Sequence, residues 1–464
     1  MSFFLNSFNY AVIVSSVGSG FSILIDTTKA GTTTNTQFNL ALASSTSYDF
    51  NIDWGDNVIE SYTSSNTTGY THTYPVSGTY LISIGERTVG GFPRVFYNSA
   101  GDRLKLLNIT RFGGNQFGNN WSGSFDGCTN LQISATDYTT AKTQNITNFN
   151  SAWKNCTSLT AFPLIDTSKG TTFNSTWSNC NKLTSFPAIN TLSGTTFFGA
   201  WSSCRSLSSF PLLDFTTPRI WQTLPGGDPF RSSFNGCTSL TSFDCKINCI
   251  PSIPTNVGFA DGWSYCTSLT KMAAITAAGA FQRTWNQCTS LKSFDLPSIL
   301  YVCGDEASGN LPSATFKNCY LLTNLPTLIT SGTNALGYNA SNDGTFTNCR
   351  SLTSFPFIDT SNVKWFYGTW QGCISLSASD FPTLDMSKMT DGTNCFDGVK
   401  LTTTSYSALL TALSATNINN TVTFHGGNST FNTPGSAARA FLTRSTALGG
   451  RGWTITDGGY QAGT

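Results

Sequence analysis

Charge is what this chain has least of. Of its 464 residues only 11% are Asp, Glu, Lys or Arg, and the net charge is +1, where ordinary soluble domains carry about 25% charged residues. No acidic or basic field therefore points to a nucleic-acid or anionic-membrane partner. Histidine is nearly missing too, with two residues. No carboxylate pair recurs at a fixed spacing, no G-x-S-x-G occurs, and no C-x-x-C with a nearby histidine offers a tetrahedral metal set. The longest early apolar run, "YAVIV" (10–14), falls far short of the ~20 residues a membrane span takes. The first basic residue is Lys29, so the opening "MSFFLNSFNYAVIVSSVGSG" lacks the basic start of a secretory leader. With the chain beginning at Met1, the expectation is that nothing is cleaved from this end. Release would then follow another route, such as assembly into a virus particle and lysis.

What the chain does have is glycine (42), phenylalanine (35), tyrosine (15) and tryptophan (11), set among Ser, Thr and Asn. It also has a repeat. Cys128, Cys156, Cys180, Cys204, Cys237, Cys266, Cys288, Cys319, Cys349 and Cys373 are spaced 22 to 33 residues apart. Three residues before each stands Phe or Trp, and three after each stands Leu, ten times out of ten. At plus six Phe is usual, often followed by Pro, as in Phe162-Pro163 and Phe186-Pro187. The unit reads [FW]-x-x-C-x-x-L-x-x-F-P followed by a polar half.

A unit of this length cannot bury its own apolar side, whereas stacked units share one core. The spacing therefore predicts a solenoid over 104–400, with its insertions leaving from the polar halves. The recurrent cysteine reads as a small, polarizable core residue between an aromatic and a leucine. A column of buried free thiols is the expectation, and disulfides are the rival. Cys245, Cys249, Cys303 and Cys395 fall outside the ladder, and a Cys245–Cys249 pair in an insertion stays open.

The ends differ from the middle. Residues 1–20 are apolar and uncharged, and are expected to be an attachment segment. Between 21 and 100, "FSILIDT", "QFNLALA", "YDFNIDWGD" and "GTYLISIG" alternate apolar and polar residues between turn signals, which predicts a β-sandwich. Residues 401–464 predict a small α/β cap: helices at 402–413 and 436–444, and strands at 421–427 and 452–459. The fold class expected is thus mainly β: sandwich, leucine-rich-repeat-type solenoid of about ten coils, cap.

Two resemblances attach to these residues. "FNGCTSLTSF" (234–243), with "FPLIDTS" (162–168) and "FPFIDTSNV" (355–363), resembles the BspA-like leucine-rich repeat of bacterial surface proteins. That resemblance implies a right-handed repeat solenoid used for display and adhesion, without catalysis and with no fixed ligand. Trp54, Gly55, Asp56, His72, Tyr74, Gly78 and Tyr80 resemble the signature of a PKD-like β-sandwich. Asp56 reads there as a turn residue and His72 as a packed strand residue. His425, beside Gly426 and Gly427, reads as a turn residue.

The function expected is a non-enzymatic structural and display protein of a virus particle: a bacteriophage fibre, spike or head decoration at the virion surface. It would bind other virion proteins through residues 1 to about 100 and adhere to host-surface glycans or proteins, with self-association open. The alternative is a secreted or cell-surface bacterial adhesin. A minor alternative is a polysaccharide-degrading solenoid, for which Asp305 and Glu306 are the adjacent acidic pair in the repeats. No catalytic residue, cofactor or metal is assigned. In "NVKWFYGTW" (362–370), Phe366 aligns with a recurrent core Phe, which leaves Trp365 and Tyr367 as candidate ligand contacts.

Overall fold

The computed structural model describes residues 20–462, apart from 45–47, 64–67, 140, 216–228, 246, 250–257, 280, 305–311, 339–342, 356–357 and 379–383. The expected attachment segment 1–20 thus lies, but for its last residue, outside the described residues. The chain is mainly β, and its described residues contain two α-helices.

The N-terminal strands are β1 (Phe21–Asp26), β2 (Gln37–Leu40), β3 (Phe50–Asp53), β4 (Ile59–Tyr62), β5 (Tyr70–Thr73) and β6 (Thr79–Glu86), followed by β7 (Leu106–Arg111) and β8 (Gln132–Ile133). One sheet runs β4-β3-β6-β1-β7-β8, and β2 pairs antiparallel with β5 in a separate ribbon. Alternation buries Ile23, Ile25, Ile52, Ile82 and Ile84, which share a core with Phe38, Leu40, Trp54 and Tyr74. Strand β7 pairs antiparallel with β1 and parallel with β8, and β8 follows the first ladder cysteine. The sheet therefore continues into the repeats across residues 100–104.

Each repeat is a chain of tight turns. In the second, Ala152 N–H donates to Phe149 O at 2.9 Å, Cys156 to Trp153 O at 3.2 Å and Leu159 to Cys156 O at 3.0 Å. In nine of the ten repeats two residues take left-handed φ, one and five positions before the cysteine: Ser151 (+54°) and Asn155 (+62°), then Ser175 (+53°) and Asn179 (+64°). Gly and Asn recur there because left-handed backbone costs most other L-residues ~1–2 kcal/mol, and Ser is the other common occupant. These turns leave backbone N–H groups pointing along the stack. The aromatic of one repeat donates to a carbonyl of the next: Phe125 to Ala152, Trp153 to Thr176, Trp177 to Ala200 and Trp201 to Ser233, all between 2.8 and 2.9 Å.

The same register reaches one unit beyond the sequence pattern at each end. Tyr97 N–H donates to Ser124 O at 3.1 Å, which places Tyr97 in the aromatic position and Ala100 in the cysteine position. At the far end Trp370 N–H donates to Cys395 O at 2.9 Å, Phe396 takes the aromatic position and Val399 the cysteine position. Cys395 itself precedes the aromatic.

Stacking brings like residues together. Eleven rings from Phe125 to Phe396 form one column with centroids 5.0 to 6.5 Å apart and planes within 17° of parallel. A second column runs Phe149, Phe173, Phe197, Phe230, Phe259 and Phe281. The plus-six residues Phe162, Phe186 and Phe210 stand edge-on to the tryptophans. The longer polar halves add a parallel sheet of Ile247–Cys249, Ile275–Gly279, Ile299–Gly304 and Thr327–Thr333.

The last unit is closed by α1 (Thr403–Thr416), α2 (Thr433–Thr443) and a parallel pair of short strands, Thr423–His425 with Thr454–Thr456. Thr402 caps α1 by accepting from Ser405 N–H at 3.1 Å. Leu410 and Leu413 are buried from that helix. Gly427, at φ +69°, lies so close to Phe396 O and Val399 O that a Cβ there would meet both within 2.3 Å.

Candidate functional site

The ten ladder cysteines are the most repeated reactive side chains, so their state decides whether the stack carries chemistry. All ten are free thiols with no exposed surface. Each thiol from Cys156 onward donates to the carbonyl of the preceding repeat's aromatic: Cys156 to Phe125, Cys180 to Trp153, Cys204 to Trp177, and so on to Cys373 on Phe346, at 3.0 to 3.3 Å. This contact explains the residue choice beyond size, because Ala or Val would leave that carbonyl lone pair without a donor. Burial pushes the thiols of Cys128, Cys156, Cys180 and Cys204 well above the ordinary range, and that of Cys237 up to about 12. Thiolate is the nucleophile and metal ligand, so these sulfurs are chemically quiet at neutral pH. Cys245 is also a free buried thiol and donates to Pro211 O at 3.1 Å; the side chain of Cys249, the partner their spacing left open, lies outside the described residues.

The candidate ligand contacts separate. Trp365 is half-buried at the edge of the stack, with Lys364 Nζ 6.0 Å from its ring centroid. Tyr367 is buried at 6% exposure, and its hydroxyl accepts from Asn394 Nδ2 at 3.3 Å. It therefore cannot serve as an exposed ligand contact. The contacts of this repeat set that direction, since Phe198, at the corresponding place before Cys204 and also followed by a left-handed glycine (Gly199, φ +59°), is exposed. Phe366 is in the core. Asp305 and Glu306 lie outside the described residues.

Histidine serves packing. His72 is sandwiched on Trp54 (4.8 Å, 8°) and meets Tyr74 edge-on, and its Nε2 lies 2.8 Å from Asp56 Oδ2. Asp56 Oδ1 accepts the Val58 N–H at 3.2 Å, the turn role expected of it. His425 ends a strand and accepts from Gly427 N–H at 3.1 Å through Nδ1. Among the described residues no group of three His, Cys, Asp or Glu is placed to hold a metal ion, and no helix is long and apolar enough to cross a membrane.

No protein-family profile matches this chain, and no curated protein does. Among solved structures, an internalin of Listeria monocytogenes is similar over 72% of this chain and 83% of its own, at 11% identity and a TM-score of 0.23. A likeness that slight leaves the geometry of this chain to speak for itself.

One cluster had no counterpart in the sequence patterns. Asp102 and Lys105 are both wholly buried, with 3.7 Å between Lys105 Nζ and Asp102 Oδ2. The Asp102 carboxylate accepts from the backbone N–H groups of Thr32 (2.7 Å), Thr33 (3.1 Å) and Asn39 (2.8 Å). Lys105 Nζ donates to Thr33 Oγ1 (2.7 Å), Thr34 O (2.8 Å) and Gln37 O (2.7 Å). Burial alone would raise the Asp102 carboxyl, but the Thr33 and Asn39 donors and the Lys105 charge hold it below the ordinary carboxylate range. Burial pulls the Lys105 ammonium down. The pair pins the loop 31–39 onto the first unit of the stack. The one available signal was "GDRLK" (101–105), in which three charges, Asp102, Arg103 and Lys105, fall within four residues of a chain poor in charge.

Proposed function

We propose that the chain is a non-enzymatic display protein of a virus particle, a fibre, spike or head decoration, that adheres to a host surface. In this reading residues 21–100 are a PKD-like β-sandwich, the repeats are a BspA-like leucine-rich-repeat solenoid of about ten coils, and the C-terminal unit is its cap. Residues 1 to about 100 contact other particle proteins or sister copies, and the repeats project outward. The observation that carries the reading is where the recurrent side chains go. The repeated thiols and rings are consumed inside the stack, and its outer face presents hydroxyls such as Thr184 and Thr241 bonded to the repeat before. Such a body is a spacer with a long side surface rather than a reaction vessel.

The resemblance of the repeat motif to bacterial surface proteins favours a second reading, a secreted or cell-surface adhesin. Mass spectrometry of purified particles and of cell envelopes separates the two. The display reading expects the chain in washed particles at fixed stoichiometry and fails if it is found in envelopes alone. Deleting residues 1–20 should abolish incorporation while the circular dichroism of the repeats persists.

A further inference from the structure

We propose that the junction between the N-terminal unit and the repeat stack is a preformed binding site for a neutral carbohydrate; this rests on the adhesive reading above and gives it a location. A cleft of about 460 Å³ opens there, lined by Thr32, Asn39, Thr68, Thr71, Phe96 and Asn98 among others. Among the described residues no charged side chain lines it. Its chemistry is hydroxyl, amide and the rings of Phe96 and Tyr97, which suits a sugar's alternating C–H and O–H surface and offers no cation to a carboxylate or phosphate.

Three features make the cleft rigid in advance. Its floor loop is the segment pinned by Asp102 and Lys105, an arrangement that takes two charges out of water to hold backbone in place. Asn39 Nδ2 donates to Thr68 O (3.0 Å) and Thr71 Oγ1 (2.9 Å), which fixes the opposite wall. Phe96 is held by the Arg94 guanidinium, 4.7 Å from its ring centroid. Gly123 leaves room for both Phe96 and Asn98, since a Cβ there would meet each at 3.0 Å. Asn98 is itself exposed, takes φ +45°, and its side-chain amide has no hydrogen-bond partner among the described residues. A left-handed non-glycine residue that holds an unused amide at the rim of a cleft is a ready donor and acceptor. Rigid walls spare the ligand the ordering cost that weakens most sugar binding.

The test uses the full-length protein on an array of neutral and acidic oligosaccharides, with calorimetry on the best binder. The expected result is binding of neutral glycans that weakens at least tenfold in Phe96→Leu and in Asn98→Gly and is unchanged in Trp365→Ala. Glycine accepts the backbone conformation at 98, so Asn98→Gly tests the amide even if Phe96→Leu disturbs packing. The proposal is overturned by affinity within twofold of wild type in both cleft variants, by selection of acidic glycans, or by no glycan binding at all. Particle content is measured separately, so the cleft can fail while the display reading stands, and the reverse.

Discussion

Lys105 and Cys180 are both wholly buried polar side chains, and the two halves of the molecule use them differently. In the N-terminal unit one ammonium and one carboxylate gather the segment that leads into β2, through donors and acceptors 63 to 72 residues away in sequence. In the repeats a thiol makes one weak bond to the repeat before it, and the arrangement recurs nine times. The repeats' own ion pairs, Lys271–Asp295 and Arg283–Asp261, stay at least partly in solvent. A one-off contact has to be strong because nothing repeats it. A stacked contact can be weak because its neighbours fix the geometry.

The contrast breaks first at the buried pair. Lys105→Met strands the Asp102 carboxylate and three oxygen acceptors, and should cost ~3–5 kcal/mol in denaturant unfolding of the N-terminal unit. In the stack, Trp177→Ala empties a position between Trp153 and Trp201 and should cost ~3–5 kcal/mol. Trp177→Phe should cost less than about 1.5 kcal/mol, since Phe125, Phe234, Phe316 and Phe346 occupy the same column. The indole N–H groups of Trp153, Trp177, Trp201, Trp263 and Trp285 lack a hydrogen-bond partner among the described residues, so Phe surrenders no bond there.

Acid should separate the two halves next. Asp102 is held below its ordinary pKa, so the stability it contributes is full above about pH 4 and is lost as the pH falls through its folded value. Tyr fluorescence and amide exchange in residues 20–112 should therefore change at a higher pH than in residues 150–210, where no carboxylate is wholly buried. Simultaneous loss in both would remove the distinction. The smallest effect concerns the turns. Gln287 takes φ +64°, where most repeats place Asn, Ser or Gly, and Gln287→Gly should raise the melting midpoint by a degree or two, relieving ~1 kcal/mol. A lower midpoint would mean that the left-handed turns are not a source of strain.

How much of this was readable in the chain follows the same divide. The stack announced itself because Phe or Trp, Cys and Leu recur at fixed offsets, and each offset maps onto one column of the core. The units at Tyr97 and Phe396 escaped that pattern because Ala100 and Val399 replace the cysteine and only the backbone register reveals them. The left-handed positions were present as Asn, Ser and Gly before each cysteine, a signal masked by Tyr265, Arg283 and Gln287 in the same places. Tyr367 stayed a surface candidate because Phe366 took the core place, and nothing in the sequence signals its bond to Asn394. The cleft was invisible, since its residues come from 32–42, 68–71 and 96–101 and no motif links them, and its buried pair showed only as the charges of "GDRLK".

The repeated thiols are packing elements, and their place inside the stack leaves its surface to other side chains. Alkylation of the native protein at neutral pH, mapped by mass spectrometry and repeated in denaturant without reductant, tests it directly. None of the ten ladder cysteines should be modified in the native state, and all ten should be modified once unfolded. Rapid native labelling of Cys180 or its neighbours, or thiols that stay blocked as disulfides after unfolding, would contradict it.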